Sequence, residues 1–214
     1  MDFDRKNFRL YAITDRAWEG EKTLEEQVEA ALRGGVTMLQ LREKAKESMG
    51  DEYREEALRI QTLCRRYNVP FIINDDVMLA LDIDADGVHL GQDDMPPRKA
   101  RVLLGDDKII GVTVKTVEQA KAAEEAGADY MGSGAVFGSS TKLDTSTLDH
   151  DMLDRIADSC NIPVVAIGGI SGDNMPVLKG RHIEGVAVVS AIFGESDCEA
   201  AAAELRALSD DMFG

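Results

Sequence analysis

Eight short β-rich runs, each followed by a helix-forming stretch or a turn, leave this chain few architectures to adopt. The runs span 10–14, 36–41, 70–74, 87–90, 109–114, 130–137, 163–167 and 185–190. Between them lie amphipathic stretches at 23–33, 48–67, 116–126, 148–159, 172–179 and 197–208. The first of these opens with Thr23 and Glu26 at capping-box spacing, and the third runs into Gly127, a C-cap residue. Strict alternation of apolar strands with helices predicts a parallel sheet, because each crossover covers a face. Eight repeats predict closure into an α/β (β/α)8 TIM barrel. An open doubly wound sheet is the alternative, but no G-x-G-x-x-G follows the first run. No linker-like composition break appears, so residues 1–214 are expected to form one barrel domain, with 1–8 as an N-terminal extension.

The formal net charge of -16 argues against nucleic acid or an anionic membrane as partner. Any anionic ligand must therefore meet locally concentrated positive charge or a metal. Cys64, Cys160 and Cys198 are far apart, in neither a zinc-like nor a disulfide framework. With no apolar leader and no apolar run near membrane length, a reducing cytoplasmic location is expected.

In such a barrel the site lies at the C-terminal strand ends. The second run ends in Gln40-Leu41-Arg42-Glu43-Lys44. On a continuing strand, Gln40, Arg42 and Lys44 share a face and span about 13 Å, the reach of a diphosphate bearing a small ring. The third run ends in Asn74-Asp75-Asp76 and the fourth in His89-Leu90-Gly91-Gln92-Asp93-Asp94. Either acidic end can be an ordinary cap or turn; together they suit Mg²⁺, which takes one or two carboxylates, waters and substrate phosphates. Thr113 brings a hydroxyl to the fifth end. The segment from Gly132 to Lys142 combines glycines, hydroxyls and a cation, without P-loop spacing. Gly168-Gly169 and Val189-Ser190 follow the seventh and eighth runs, where many barrels bind a phosphate. His89 reads as structural, and no nucleophile triad is evident.

From Leu10-Tyr11-Ala12-Ile13-Thr14-Asp15 to Ser190-Ala191-Ile192-Phe193, the chain resembles the thiamine-phosphate synthase (thiamine-phosphate pyrophosphorylase) family. The motifs that carry the resemblance are 40–44, 74–76, 89–94, Thr141-Lys142 and Gly168-Gly169-Ile170. The resemblance implies a transferase of thiamine biosynthesis. It would join a pyrimidine-methyl diphosphate to a thiazole phosphate, or its carboxylated tautomer, releasing diphosphate with Mg²⁺. It implies Arg42, Lys44 and Lys142 as catalytic groups on the diphosphate. Gln40, Leu41, Glu43, Asn74 and Thr113 join them in substrate binding, and Asp75 and Asp94 become metal ligands. Ser139, Ser140, Thr141, Gly169, Val189 and Ser190 surround the thiazole phosphate. Small-molecule substrates are the implied partners, and self-association into a homo-oligomer is compatible with the chain. Departures from the family pattern are Ala135 for a common Pro, Gly138-Ser139 in the loop, Thr113 for Ser and Lys115 for His. They imply altered loop stiffness rather than lost function. A thiazole tautomerase paralogue typically lacks the Asn-Asp and Gly-Gln-x-Asp pieces present here. A ligand sensor on the same barrel would have lost the carboxylates or Arg42.

Overall fold

The computed structural model describes residues 4–18, 20, 22–44, 49–138 and 148–214. Eight parallel strands pair in chain order, and the eighth closes on the first. They are β1 (Leu10–Ile13), β2 (Met38–Leu41), β3 (Phe71–Asn74), β4 (Gly87–Leu90), β5 (Ile109–Val114), β6 (Tyr130–Gly134), β7 (Val164–Ile167) and β8 (Gly185–Val188). Described helices are α1 (Leu24–Arg33), α2 (Asp51–Tyr67), α3 (Val77–Asp82), α4 (Pro97–Leu104), α5 (Val117–Glu125), α6 (His150–Asp158), α7 (Ser190–Phe193) and α8 (Cys198–Phe213).

Strand alternation sorts the core into two layers. Tyr11, Ile13, Met38, Ile72, Ile109, Tyr130, Val165 and Ala187 point into the barrel. Leu10, Ala12, Leu39, Leu41, Ile73, Val88 and Leu90 point outward against the helices. Each large apolar side chain so buried contributes about 1.5–3 kcal/mol, and closure leaves no strand edge exposed. Residues Arg5–Phe8 form a 3-10 turn ahead of β1, and fully buried Phe8 joins the interior layer beneath Tyr130, with ring centroids 5.0 Å apart.

The capping box forms as its spacing predicts: Glu26 N–H donates to Thr23 Oγ1 at 3.3 Å, and Thr23 N–H to Glu26 Oε2 at 2.9 Å. Such caps are worth about 1 kcal/mol. Leu24, Val28 and Ala31 then face the barrel at helical spacing. The stretch 172–179 departs from the expected helix. Only a 3-10 turn, Met175–Leu178, forms there. Pro176 supplies no N–H, and the side chain of Asn174 is engaged with the preceding loop rather than capping a helix. The sixth strand stops at Gly134, short of Phe137, because the chain bends there to bond Val136 N–H to the Ile167 carbonyl at 3.0 Å. The eighth ends at Val188, and Ser190 begins a helical turn. All three cysteines carry free thiols. Among the described residues no helix is long and apolar enough to cross a membrane.

Candidate active site

A cavity of about 160 Å³ opens at the C-terminal ends of the strands. It gathers Gln40, Arg42, Asn74, Thr113, Gly169, Val189 and Ser190 from five strand ends. Tyr11, Ile13, His89, Lys115 and Tyr130 line it as well, with a wall of Val165, Ile167 and Ala187. Among the described lining residues there are two cations, Arg42 and Lys115, and no carboxylate. In a chain of net charge -16 that is a local inversion of sign, and it favours an anionic ligand.

Strand β2 ends at Leu41, so Arg42 and Lys44 are aimed by partners rather than by strand alternation. Asp15, at the end of β1, holds both. Its Oδ2 accepts from Arg42 Nη1 at 3.1 Å and from Lys44 Nζ at 2.9 Å. Arg42 N–H donates to Thr14 Oγ1 at 2.9 Å, which pins the backbone as well. Burial alone would raise the Asp15 carboxyl. The hydrogen bonds from Lys44 and the Ala17 amide, with the charges of Lys44 and Arg42, override it and hold the group below the ordinary carboxylate range. A depressed carboxylate contributes stability above its unfolded pKa and loses it as pH falls through the folded value. Asp15→Asn is therefore expected to lower the Tm by about 4 °C at neutral pH. The gap between variant and parent should close below about pH 4. Melting curves from pH 3 to 8 check this, and a gap that widens in acid would refute the assignment.

Two expected ligand-contacting side chains face elsewhere. Leu41 is fully buried in the layer between strands and helices, because it alternates with Gln40 across β2. Glu43 is buried against Arg16, whose Nε donates to its Oε2 at 2.6 Å. Arg16 also donates to both oxygens of Glu56 on α2, at 2.7 and 2.9 Å. Burial raises the Glu56 carboxyl above its usual range, with Arg16 opposing. Any part of Leu41 or Glu43 in ligand binding thus falls to the backbone. The positions Ser139, Ser140, Thr141 and Lys142 lie outside the described residues.

At the end of β3, Asp76 does the capping: its Oδ1 accepts from Leu79 N–H at 2.9 Å at the start of α3. Asn74 and Asp75 are therefore not needed as caps. Asn74 Nδ2 donates to Asp75 Oδ2 at 2.6 Å, and Asp75 adopts a left-handed backbone with φ of +63°. Non-glycine residues pay for that conformation, and such outliers gather at functional sites. At the next strand end, Asp94 Oδ2 accepts from Gly91 N–H at 2.7 Å. Both carboxylates are thus oriented by local donors. Among the described residues no cluster of three or more His, Cys, Asp or Glu could hold a metal. Neither carboxylate is among the described residues lining the cavity; one or two carboxylates with waters and phosphate oxygens are the ligand chemistry that Mg²⁺ takes.

On the opposite rim, Gly168 and Gly169 have φ of +103° and +66°. Asn174 clamps this loop, accepting from Ser171 N–H at 2.9 Å and donating to the Gly169 carbonyl at 2.8 Å. The family model described as thiamine monophosphate synthase (TMP-TENI) matches residues 10–192 of this sequence. The chain belongs to that family. A thiamine-phosphate synthase of Ruminiclostridium cellulolyticum is 45% identical over 199 residues, covering 93% of this chain and 94% of its own. One from Alkaliphilus oremlandii is 44% identical over 201 residues, 94% of this chain and 95% of its own. The solved thiamine phosphate pyrophosphorylase of Pyrococcus furiosus superposes with a TM-score of 0.89 at 39% identity, over 98% of this chain and 99% of that one. The family fold reaches further: a KGPDC of Streptococcus mutans, 16% identical, superposes at 0.74. That likeness concerns the barrel alone.

In this thiamine monophosphate synthase family member, Asp15, Tyr11, Tyr130 and Asn174 also shape the site without standing among the site residues expected from the sequence. Asp15 carried one available signal, an acidic residue at a strand end beside a cationic one. His89, read from sequence as structural, lines the cavity.

Proposed function

We propose that the protein joins a pyrimidine-methyl diphosphate to a thiazole phosphate, giving thiamine phosphate and diphosphate. The observation that carries this reading is the cavity whose described lining residues include Arg42 and Lys115 and no carboxylate, inside a strongly acidic chain. In this reading Arg42 and Lys44, braced on Asp15, hold the diphosphate. Gln40 and Asn74 present amides and Thr113 a hydroxyl to the same substrate. Gly169, Val189 and Ser190 take the thiazole phosphate through close backbone approach. By family resemblance Ser139, Ser140 and Thr141 join them, and Lys142 reaches the diphosphate.

The carbon–oxygen bond to the diphosphate breaks first, and its electron pair leaves with the diphosphate. The aminopyrimidine donates electron density to the methylene cation that remains. The apolar wall of Ile13, Val165, Ile167 and Ala187 keeps water from capturing it. The thiazole nitrogen then gives its lone pair to form the new carbon–nitrogen bond. No base is required, and the protein acts by positioning and by charge placed where charge develops. Asp75 and Asp94 would hold Mg²⁺. When bound, the ion supplies positive charge to the departing diphosphate.

Diphosphate release by the purified protein tests the reading, with each substrate and Mg²⁺ omitted in turn. Release is expected only when all three are present, and chelation with EDTA should reduce it at least about 100-fold. Release without the thiazole phosphate would make the protein a hydrolase, and thiazole-phosphate binding without any release would remove the transferase reading.

A further inference from the structure

We propose that His89 is a positioning residue, its single ring proton on Nε2. It ends a one-way chain of hydrogen bonds that turns the Thr113 hydroxyl proton into the cavity. The proposal rests on the transferase reading above and extends it to Tyr11, Tyr130 and His89, to which that reading gives no contact with either phosphate.

The chain crosses the barrel interior. Gln40 Nε2 donates to Tyr11 Oη at 2.6 Å. Tyr11 Oη and Tyr130 Oη are 2.8 Å apart, Tyr130 Oη and His89 Nδ1 2.9 Å, and His89 Nε2 and Thr113 Oγ1 2.9 Å. An amide nitrogen only donates, so it sets the direction. Tyr11 accepts from Gln40 and has one proton left to give, to Tyr130. Tyr130 in turn gives its own proton to His89 Nδ1, which must then be bare. The ring proton sits on Nε2 and goes to Thr113 Oγ1. With that lone pair occupied, the Thr113 proton points away from His89. Thr113 lines the cavity, so the hydroxyl serves as a donor there.

Packing holds the chain in register. Tyr11 and Tyr130 are almost fully buried, and burial pushes both phenols far above the usual range, so they keep their protons. Phe8, Tyr11 and His89 pack around the Tyr130 ring at centroid distances of 5.0, 5.9 and 5.5 Å. Gly111 makes room for it: a Cβ there would lie 2.1 Å from Tyr130 Cζ. The reverse direction would require Gln40 to turn its carbonyl oxygen to Tyr11 and would spend the Thr113 proton on His89. As arranged, a donor waits, already oriented, where negative charge grows on the leaving group.

Nitrogen-15 NMR of imidazole-labelled protein, with long-range nitrogen–hydrogen correlation, reads the tautomer directly. His150 and His182 are the other histidines, and His89→Gln assigns the signal. The His89 signal is expected to report Nε2–H with Nδ1 bare. A proton on Nδ1, or on both nitrogens, at neutral pH would overturn the proposal. Tyr130→Phe removes the donor to Nδ1. It should lower kcat about 10-fold, with the KM for the pyrimidine diphosphate changed less than about 2-fold. Thr113→Val should lower kcat about 100-fold, and adding Tyr130→Phe to it should cost nothing further. Full additivity, or a loss confined to KM, would reduce Tyr130 and His89 to packing. If the unaltered protein released no diphosphate, the transferase reading would fall, while the NMR spectrum would still decide the tautomer.

Discussion

Replacing Arg42 with Met is expected to lower kcat for diphosphate release by about 1,000-fold, the upper range for losing one preorganised charge at a leaving group. Arg42 lines the cavity, and its side chain is only 16% exposed, so water does little to screen it. Methionine keeps the length and apolar stem, so the loss belongs to the charge and its planar fork of donors. The fold should survive. Asp15 keeps its 2.9 Å bond to Lys44, and the Arg42 backbone keeps its bond to Thr14. Arg42→Lys should recover part of the rate, since a point charge replaces charge without the fork. Steady-state kinetics with matched melting curves check both variants. A Met variant within 10-fold of the parent would remove Arg42 from the reaction centre.

The second large effect is expected from Gly169→Ala. The backbone there has φ of +66°, where an L side chain costs roughly 1–2 kcal/mol. A Cβ would also lie 2.4 Å from the Gly138 carbonyl oxygen and 3.0 Å from that of Phe137. Those are backbone atoms, so the loop must move rather than a side chain rotate. Asn174, bonded to the Gly169 carbonyl, would lose its register with it. The KM for the thiazole phosphate should rise about 50-fold, since the displaced amides no longer meet the phosphate. The KM for the pyrimidine diphosphate should change little, because Arg42 and Asn74 stand across the cavity on other strands. Substrate titrations at saturating partner separate the two. An equal rise in both values would show that the whole mouth had shifted and would break the proposed division of the cavity.

The barrel was legible because it depends on local periodicity. All eight strands fall inside the expected runs; β4 and β5 fill theirs, and the other six are trimmed at their ends where the chain leaves the ladder. No helix fills 172–179, because apolar content there signals packing only, while Pro176 and the Asn174 loop clamp decide the backbone. At the site, strand-end chemistry pointed to Arg42, Asn74, Thr113 and Gly169, which the cavity gathers. Leu41 and Glu43 stood in the same contiguous motif, and alternation together with the Arg16 ion pair turned them away. Asp15 stayed hidden because its role arises from the pairing of β1 with β2, where Ile13 lies beside Gln40. The Tyr11–Tyr130 contact joins residues 119 positions apart, and no local pattern announces it.

The cationic cavity within an acidic exterior also bears on how fast substrates arrive. Both proposed substrates are anions, and the outer field of a chain at -16 repels them before the inner cations are felt. At physiological ionic strength the Debye length is about 8 Å, so dissolved salt shortens the outer repulsion. Arg42, largely enclosed at the barrel mouth, is screened far less. Capture by this barrel is therefore expected to be slowest in dilute buffer and to quicken with moderate salt, the reverse of the behaviour of an enzyme that steers anions with a basic surface.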